Sequence, residues 1–321
     1  MKVVIAGGAG ALGRRIAADL AGRGDEIVIL TRRVRDDMPY RQVVWDGVTV
    51  EDWAAELSGA VVINLAGELV DRRPTAANVD LLSRSRVGPT LALAEAAAVL
   101  AEPPRVWLQA STLAIYGDAG EDELDESAPV AEGPPQMAGV ARAWEAAASL
   151  TAAATFQRAI VENTRQVVLR MGIVLDRGTP ALNRLAGLVR WGLGGRVGGG
   201  RQWVSWIHVA DLLAVVRRCV DSATLHGVVH VTSPNPVRNA DLMRALRTVL
   251  RRPAAPPAPA PLVRLGAMLL RTDPALALTG RRCVPRRLLE AGFEFEHPDL
   301  LPALQDLLAR RAAPGSARRG R

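Results

Sequence analysis

The chain has 321 residues, enough for one large α/β domain or two smaller ones, and about half of them are hydrophobic, so a sizeable core is expected. Only two cysteines occur, which excludes a disulfide scaffold, and no apolar run approaches the ~18 residues of a membrane span, so we expect a cytoplasmic protein without a membrane partner. The net charge of +7 comes from scattered arginines without a recognisable binding motif, so we expect no nucleic-acid partner.

The chain begins with an apolar run at residues 3–6, a glycine-rich loop, and a helical stretch at 13–22. Glycine permits a tight turn and a close approach of the backbone to a ligand. The start of a helix presents free N–H groups and the positive end of its dipole to an anion. Strand, loop and helix in this order predict a site for a dinucleotide pyrophosphate. Its predicted contacts are Gly7, Gly10, Ala11, Leu12 and Gly13.

Short apolar runs alternate with helical stretches along the first half of the chain. Predicted strands cover residues 3–6, 27–30, 42–45, 61–65, 106–110 and 167–170, and predicted helices cover 13–22, 49–57, 90–100 and 138–154. This alternation is typical of a parallel sheet with helices on both faces, and it predicts a Rossmann-type, doubly wound α/β fold. Ligands of such a sheet bind at the carboxyl ends of its strands. We expect an NADP-binding domain at residues 1–170.

Two arginines follow the second predicted strand, where an NAD-binding protein usually carries an acidic residue. Arg32 and Arg33 could hold a 2′-phosphate, which favours NADP(H) over NAD(H), although a solvated arginine pair would look the same. After the third strand, Asp46 is a candidate for the adenine edge of the cofactor. It could equally be a turn carboxylate beside Gly47.

A turn of small residues follows the fourth predicted strand. Leu65, Ala66 and Gly67 would let the backbone pass under the cofactor ribose. Asn64 before them could instead cap its own turn. Glu68 is the first carboxylate beyond the turn, so it would lie near the reaction cleft and is a candidate catalytic residue.

The fifth predicted strand ends in hydroxyl-bearing residues. Ser111 and Thr112 are placed at the carboxyl end of a central strand, where a hydroxyl can polarise a substrate carbonyl, and Tyr116 follows one turn later. The alternative is that these hydroxyls cap the next turn.

The pattern loosens beyond residue 170. Residues 171–311 are predicted to form mainly a smaller substrate-binding lobe, with some segments returning to the sheet, and residues 312–321 a disordered basic tail. Within the lobe we predict a strand at 228–232, a helix at 239–251 capped by Asn239, a stiff connector at 253–261, a short strand at 293–295 and a last helix before residue 310.

These motifs resemble the extended short-chain dehydrogenase/reductase superfamily. Residues 6–13 resemble its N-terminal fingerprint, and Ser111-Thr112 with Tyr116-Gly117 resembles its Ser-Ser-x-x-x-Tyr-Gly segment. More narrowly, the chain is similar to an atypical branch, an epimerase family of proteins described as nucleoside-diphosphate-sugar epimerases. That match is carried by residues 64–68, 83–86 with Thr90, 198–208 with Asp211, and 291–295.

The resemblance implies a cofactor and a small substrate. It places NADP(H) across the carboxyl edge of the sheet, with Ser111 and Arg170 among its contacts, and a small-molecule substrate under the C-terminal lobe. Arg86, Arg201, Trp203 and Trp206 are the implied substrate residues, although the tryptophans could simply form a wall. By analogy, a homodimer would form through the helices at 90–100 and 138–154. We assign no metal ligands.

The sequence departs from the superfamily at its reactive pair. The tyrosine and lysine of the Tyr-x-x-x-Lys motif fall at Met137 and Ala141, and Lys2 is the only lysine in the chain. A usual asparagine is replaced by Arg86, and a usual arginine by Val204. The standard proton relay is therefore absent.

Thr112 can still donate a hydrogen bond to a carbonyl, so any proton must come from another group. Glu68, Tyr116 and His208 are candidates. Tyr116 could instead pack beside the cofactor. His208 could instead link strand and helix, with Asp211 as a helix cap.

Three functions remain open from the sequence. The first is an NADP(H)-dependent oxidoreductase or epimerase-like enzyme with a non-standard proton relay. The second is an NADP-binding sensor or scaffold without turnover. The third is a non-redox cyclase, isomerase or lyase in which Arg86 and Glu68 act on the substrate.

Overall fold

The computed structural model describes residues 1–133, 136–149, 163–177 and 179–308. Its strands are β1 (Lys2–Ala6), β2 (Glu26–Thr31), β3 (Arg41–Val44), β4 (Val61–Asn64), β5 (Val106–Thr112), β6 (Glu123–Leu124), β7 (Arg165–Met171), β8 (Ile173–Leu175), β9 (Trp203–Val204), β10 (Trp206–His208), β11 (Gly227–Val231), β12 (Val237–Arg238) and β13 (Arg282–Cys283). Its helices are α1 (Ala11–Gly22), α2 (Ala76–Ala98), α3 (Gln136–Ala148), α4 (Pro180–Arg190), α5 (Val209–Asp221), α6 (Asn239–Val249), α7 (Ala260–Leu269), α8 (Ala275–Leu278), α9 (Arg286–Glu290) and α10 (Leu300–Leu308). Short 3-10 helices cover Asp52–Leu57 and Leu113–Tyr116.

In the described part of the chain, seven strands form one parallel sheet in the order β11-β7-β5-β4-β1-β2-β3. Successive side chains of β1 alternate between the two faces, as a strand requires. Val3 and Ile5 pack with α1 and α5, whereas Val4 and Ala6 pack with α2. Apolar layers on both faces confirm the predicted doubly wound α/β fold.

Several predicted elements differ from the observed ones. α2 begins fourteen residues before the predicted start at residue 90 and continues through Pro89, with the Thr75 side chain capping its first turn. The strand predicted at 293–295 is wrong, because Phe293 and Phe295 instead form an edge-to-face pair, with ring centroids 4.8 Å apart, against the sheet core. The predicted segments 150–154 and 312–321 lie outside the described residues.

The C-terminal lobe has a separate apolar cluster around the fully buried Trp206. It joins side chains of α4, α6 and α10, and short strand pairs connect β10 with β8 and β12 with β9. β11 returns to the main sheet beside β7. None of the described helices has both the length and the hydropathy needed to cross a bilayer.

Candidate functional site

The β1–α1 loop is shaped by glycines that have no room for a side chain. Gly7 has φ +76°, and a Cβ atom there would lie 2.8 Å from the Leu65 carbonyl. A Cβ atom on Gly13 would lie 2.5 Å from the Gly8 Cα. Gly10 is the N-cap of α1 and contributes no side-chain hydrogen bond, and no acidic residue lies in the first turn. The free N–H groups of this turn therefore fit an anionic pyrophosphate.

Arg32, directly after β2, is exposed to solvent and forms an ion pair with Glu68. Its guanidinium lies 3.3 Å from the Glu68 carboxylate, whose other oxygen accepts a hydrogen bond from Arg72 at 3.1 Å. Arg33 is exposed. A 2′-phosphate could thus reach Arg32, but it would meet a guanidinium that already has one carboxylate partner.

Asp46 closes its own turn after β3. Its carboxylate accepts hydrogen bonds from the Thr49 hydroxyl and from the N–H groups of Val48 and Thr49, the latter two at 2.7 and 2.8 Å. These bonds hold the pKa of Asp46 below its usual value, with the Thr49 hydroxyl the largest cause. The placement agrees with the turn alternative.

The turn after β4 is fixed by buried hydrogen bonds. The Asn64 side chain accepts the Ala66 N–H at 3.1 Å and donates to Thr90 at 2.8 Å and Gln109 at 3.0 Å. Asn64 therefore caps its own turn, and it also ties that turn to α2 and β5. The exposed Gly67 follows it at the carboxyl edge of the sheet.

Arg86 of α2 lies directly under Gly67, where a Cβ atom would come within 3.0 Å of the Arg86 Cζ. Its guanidinium donates to the Glu68 carbonyl at 2.9 Å and the Leu82 carbonyl at 3.1 Å, and it lies 5.1 Å from the Trp144 ring. It forms no ion pair within the described residues. Burial lowers the pKa of Arg86 to about 10.

Ser111 and Thr112 at the end of β5 have different environments. The buried Ser111 hydroxyl donates to Glu145, so it is already engaged. The Thr112 oxygen accepts the Ala114 N–H at 3.1 Å, which makes it the cap of the following 3-10 helix. Among the described residues the Thr112 hydroxyl donates to no acceptor, so its hydrogen remains free for a ligand carbonyl.

A buried polar network lies behind Ser111 and includes two residues that sequence reasoning missed, Glu145 and His230. Arg170 forms a two-pronged ion pair with Glu145 at 2.9 and 2.7 Å and donates to the Tyr116 hydroxyl at 2.6 Å. That hydroxyl lies 2.7 Å from His230 Nε2. Glu145 has no pattern of its own beyond its place after a tryptophan, and His230 lies inside an apolar strand, so neither gives a sequence signal.

The protonation states of this network follow from its geometry. His230 Nδ1 faces the Val284 carbonyl at 3.0 Å, so Nδ1 carries the hydrogen and Nε2 accepts from Tyr116. Burial raises the pKa of Tyr116 to about 12 and lowers the pKa of His230 to about 4. Tyr116 is 4% exposed, so the structure places this predicted catalytic residue in a sealed network rather than in the cleft.

The two positions of the missing reactive pair are apolar and buried. Met137 packs with Leu82 and Val140, and Ala141 packs beside Tyr116 and Cys283. Neither position holds a group that can exchange a proton.

His208 has a structural position. Its Nδ1 accepts the Ala210 N–H at 3.1 Å, so His208 rather than Asp211 is the cap of α5. The prediction for Asp211 is wrong, because its carboxylate accepts the N–H groups of Glu296 and His297 instead. The prediction that Asn239 caps α6 is also wrong. Arg238 is the N-cap residue of α6, and the Asn239 side chain instead accepts a hydrogen bond from the Val197 N–H.

His208, His297 and Asp306 place potential metal-ligand atoms within 4.8 Å of one another. A metal on His208 Nε2 would, however, require both ring nitrogens to lack a proton, because Nδ1 already accepts a backbone hydrogen bond. This group is therefore unsuited to a cation.

Of the predicted substrate residues of the lobe, one is buried in the core, whereas Trp203 and Arg201 both lie beside Glu121, which accepts a hydrogen bond from the Trp203 indole at 3.2 Å. Trp206 is fully buried and its indole donates to the Asn235 carbonyl at 3.1 Å, so it belongs to the lobe core and not to a ligand surface. Trp203 is in contact with two guanidinium groups, whose Cζ atoms lie 4.0 and 5.0 Å from its ring. Arg201 is exposed, 3.9 Å from Glu121.

Comparison with known proteins gives two matching family models. Residues 3–229 match the NAD dependent epimerase/dehydratase family, and residues 258–307 match a domain of unknown function, DUF1731. The first match covers the glycine-rich loop and the residues whose side chains form the network around Tyr116, except His230, and the second covers α7 to the greater part of α10.

Individual relatives match over nearly the whole chain. Epimerase family protein SDR39U1 of Bos taurus is 32% identical over 96% of this chain and 100% of its own length. Epimerase family protein YfhF of Bacillus subtilis is 30% identical over 97% of this chain and 99% of its own. The crystal structure of human epimerase family protein SDR39U1 (isoform 2) with NADPH superposes with a TM-score of 0.83 at 29% identity, covering 96% of this chain and 99% of that one.

Proposed function

The chain belongs to the NAD dependent epimerase/dehydratase family, and from that premise we propose that it is an NADP(H)-dependent oxidoreductase or epimerase-like enzyme acting on a small carbonyl or hydroxyl compound. The observation that carries this proposal is the glycine cradle between β1 and α1, where side chains are excluded and helix N–H groups are free. The human relative crystallised with NADPH supports the same cofactor.

Cofactor contacts follow from the geometry of the cradle. Ala11 and Leu12 in the first turn of α1 would bind the pyrophosphate through their N–H groups. Arg32 and Arg33 would bind a 2′-phosphate, which NADPH has and NADH lacks. When bound, NADPH supplies a hydride to the substrate carbonyl carbon.

Thr112 and Glu68 are the two residues that we assign to the substrate step. Thr112 donates a hydrogen bond from its free hydroxyl to the carbonyl oxygen. This hydrogen bond stabilises the negative charge that develops on the oxygen as the carbon is reduced. Of the three sequence candidates for the proton, Tyr116 is held in a buried hydrogen-bond network and His208 is 3% exposed, so neither reaches solvent. Glu68 keeps 28% of its side chain exposed, so it can exchange a proton between solvent and the new hydroxyl.

Calorimetric titration with NADPH and NADH tests the cofactor half. We expect NADPH to bind more tightly than NADH, and the double variant Arg32→Gln/Arg33→Gln to lose that preference while binding NADH as before. Arg105→Gln removes an exposed arginine at the opposite end of the sheet and serves as the matched control. Failure of both cofactors to bind below millimolar concentration would overturn the proposal.

Oxidation of NADPH in the presence of a panel of small aldehydes and ketones tests the catalytic half. Thr112→Val should abolish turnover and leave NADPH affinity unchanged, whereas Thr112→Ser should restore it, because serine keeps the hydroxyl. Equal turnover by wild type and Thr112→Val would remove Thr112 from the mechanism.

A second candidate function is NADP binding without turnover, and the apolar packing of Met137 and Ala141 favours it. In that case NADPH binds tightly and is never consumed, whatever compound is added. A product that wild type forms and Thr112→Val does not form would exclude this candidate.

A further inference from the structure

Helix α7 exposes almost all of its apolar side chains. A surface helix normally buries its apolar stripe against the core. In α7 only Ala267 is buried, while Leu262, Leu265 and Leu269 stand exposed along one side at helical spacing. Leu269 is 72% exposed, and Leu270 after the helix is 77% exposed. Such a contiguous apolar surface is typical of a binding site.

The end of α4 extends this surface. Trp191, directly after α4, is 85% exposed, and Leu193 is exposed beside it. The segments that follow α4 and precede α7 are joined, because Val197 bridges to Ala258 and the Gly198 N–H donates to the Ala258 carbonyl at 2.8 Å. We call the combined surface the leucine face. It consists of Leu188, Trp191, Leu193, Leu262, Leu265, Met268, Leu269 and Leu270.

The two chain segments that build the leucine face are rich in arginine. The two chain segments that build it, residues 177–210 and 242–272, contain five and six arginines and no aspartate or glutamate. These eleven positive charges exceed the net +7 of the whole chain, so the remainder of the chain carries a net −4 (7 − 11). Along the sequence, positive charge is therefore concentrated in these two segments, and carboxylates from outside them pair with Arg184, Arg201 and Arg244.

Several of these arginines have no counter-charge within the part of the chain that the structure describes. Five are exposed and form no ion pair with any described residue: Arg190, Arg251, Arg252, Arg264 and Arg271. Arg264 lies within α7, and Arg271 follows directly after Leu270 at its end. Positive groups thus lie within and beside the apolar surface.

The sequence expectation of no membrane partner rested on the lack of a spanning segment, which surface docking does not need. We propose that the leucine face docks on the surface of an anionic lipid bilayer, with α7 lying in the interface. Leucine side chains and Trp191 would enter the boundary between headgroups and acyl chains, and the arginines would contact the anionic headgroups. A second copy of the chain packed face to face would bring unpaired arginines against one another. A nucleic acid would match the charge but would leave the leucines in water.

Docking would bring the candidate site close to the bilayer. Thr272, after α7, donates to Asp71, and Arg73 donates to the Met268 carbonyl, so the end of α7 is held against the loop that follows β4. That loop begins with the turn of Leu65 to Gly67, which borders the cofactor cradle. The leucine face lies on the outer surface of the lobe, so its docking does not depend on the proposed chemistry.

Sedimentation with vesicles tests the inference. We expect the full chain to pellet with vesicles of phosphatidylcholine mixed with phosphatidylglycerol, to remain in solution with phosphatidylcholine alone, and to be released by added salt. Leu265→Glu/Leu269→Glu should abolish pelleting. Arg264→Gln/Arg271→Gln should weaken it by about 30-fold, from the usual contribution of a basic residue near an anionic surface.

Matched controls keep the test decisive. Leu289→Glu changes a leucine on α9 that is as exposed as Leu265, and Arg84→Gln/Arg105→Gln removes two exposed arginines from other surfaces, so both should pellet like wild type. Each variant is compared by its circular dichroism spectrum and melting temperature, so that misfolding is recognised. Failure to pellet with the anionic vesicles, or equal pelleting with both vesicle types, would overturn the proposal. So would a dimer in solution, or binding to duplex DNA, that Leu265→Glu/Leu269→Glu abolishes.

Discussion

Arg86 and Arg170 occupy comparable buried places, yet their pKa values shift in opposite directions. Each is 6% exposed at the carboxyl end of the sheet, and each guanidinium lies 5.1 Å from the centre of an aromatic ring. Arg170 is paired with a carboxylate and a phenol, whereas Arg86 meets backbone carbonyls and a serine hydroxyl. Burial lowers the pKa of Arg86 to about 10. Burial acts in the same direction on Arg170, but hydrogen bonding and charge from Glu145 outweigh it and raise its pKa.

The difference shows that burial alone does not decide the state of a buried cation. A paired guanidinium depends on its counter-charge, so loss of the partner leaves an uncompensated charge in a poorly solvated place. A guanidinium held by carbonyls has no such partner to lose, and its surplus charge remains available to the site. In this protein the paired arginine links the carboxyl end of β7 to α3, and the unpaired one lies under the turn that borders the cofactor cradle.

Removing the counter-charge of Arg170 should have the largest effect. Glu145→Gln keeps the shape of the side chain and leaves Arg170 buried without its partner, so the free energy of unfolding should fall by about 3–5 kcal/mol. Denaturant titration of wild type and Glu145→Gln measures this difference in the free energy of unfolding. Glu68→Gln, the same change at a partly exposed ion pair, is the control and should change stability by less than about 1 kcal/mol. Equal effects of the two variants would contradict the comparison.

The histidine at the far end of the Arg170 network predicts a pH dependence of similar size. Burial lowers the pKa of His230 to about 4 from 6.5, so between these pH values the unfolded chain binds a proton that the folded chain does not. Stability should therefore fall by about 3 kcal/mol as the pH drops from 6.5 to 4, and this contribution should change no further below pH 4. The measurement is the difference between wild type and His230→Gln across that range, which removes the contributions of other groups. An unchanged difference would show that His230 titrates normally.

A substitution at Gly67 tests the position of the unpaired Arg86 guanidinium, which lies directly under this glycine. A Cβ atom there would press on the Arg86 guanidinium at 3.0 Å, so Gly67→Ala should destabilise by about 1–2 kcal/mol in wild type and by much less in an Arg86→Ala background. The double-mutant cycle is read from unfolding free energies. Gly187→Ala in α4, where nothing lies within 4 Å of the new atom, is the control and should stabilise slightly. Additive effects of Gly67→Ala and Arg86→Ala would contradict the predicted contact.

The smallest effect is expected at Arg32, whose ion pair is exposed to solvent, unlike the buried guanidinium groups of Arg86 and Arg170. The Glu68 carboxylate lies 3.3 Å from the Arg32 guanidinium, and such exposed ion pairs contribute only about 0.2–1 kcal/mol to stability. Glu68→Gln should free Arg32 for the 2′-phosphate and tighten NADPH binding by a few fold, without changing NADH binding. Calorimetry measures both, and a weaker binding of NADPH would show that Glu68 itself contacts the cofactor.

The predictions from sequence succeeded where the physical cause was local. The glycine loop, the apolar strands and the helix that follows residue 10 depend on neighbouring residues, so their pattern could be recognised directly. Phe293 and Phe295 were misread because alternating aromatics favour a strand, yet here the two rings pack against each other and the sheet core instead. Asp211 looked like a helix cap because of its position, but the backbone that it binds comes from more than eighty residues away.

By itself, the sequence determined that a doubly wound sheet would carry a glycine cradle for a dinucleotide, and that Met137 and Ala141 would replace the usual reactive pair. Only the tertiary structure decided which charged groups are compensated. Tyr116 meets Arg170 across 54 residues and His230 across 114, and five arginines near α4 and α7 are exposed without an ion pair to any described residue. The reason is that local backbone preference depends on near neighbours, whereas the solvation and pairing of a charge depend on whatever the fold brings beside it.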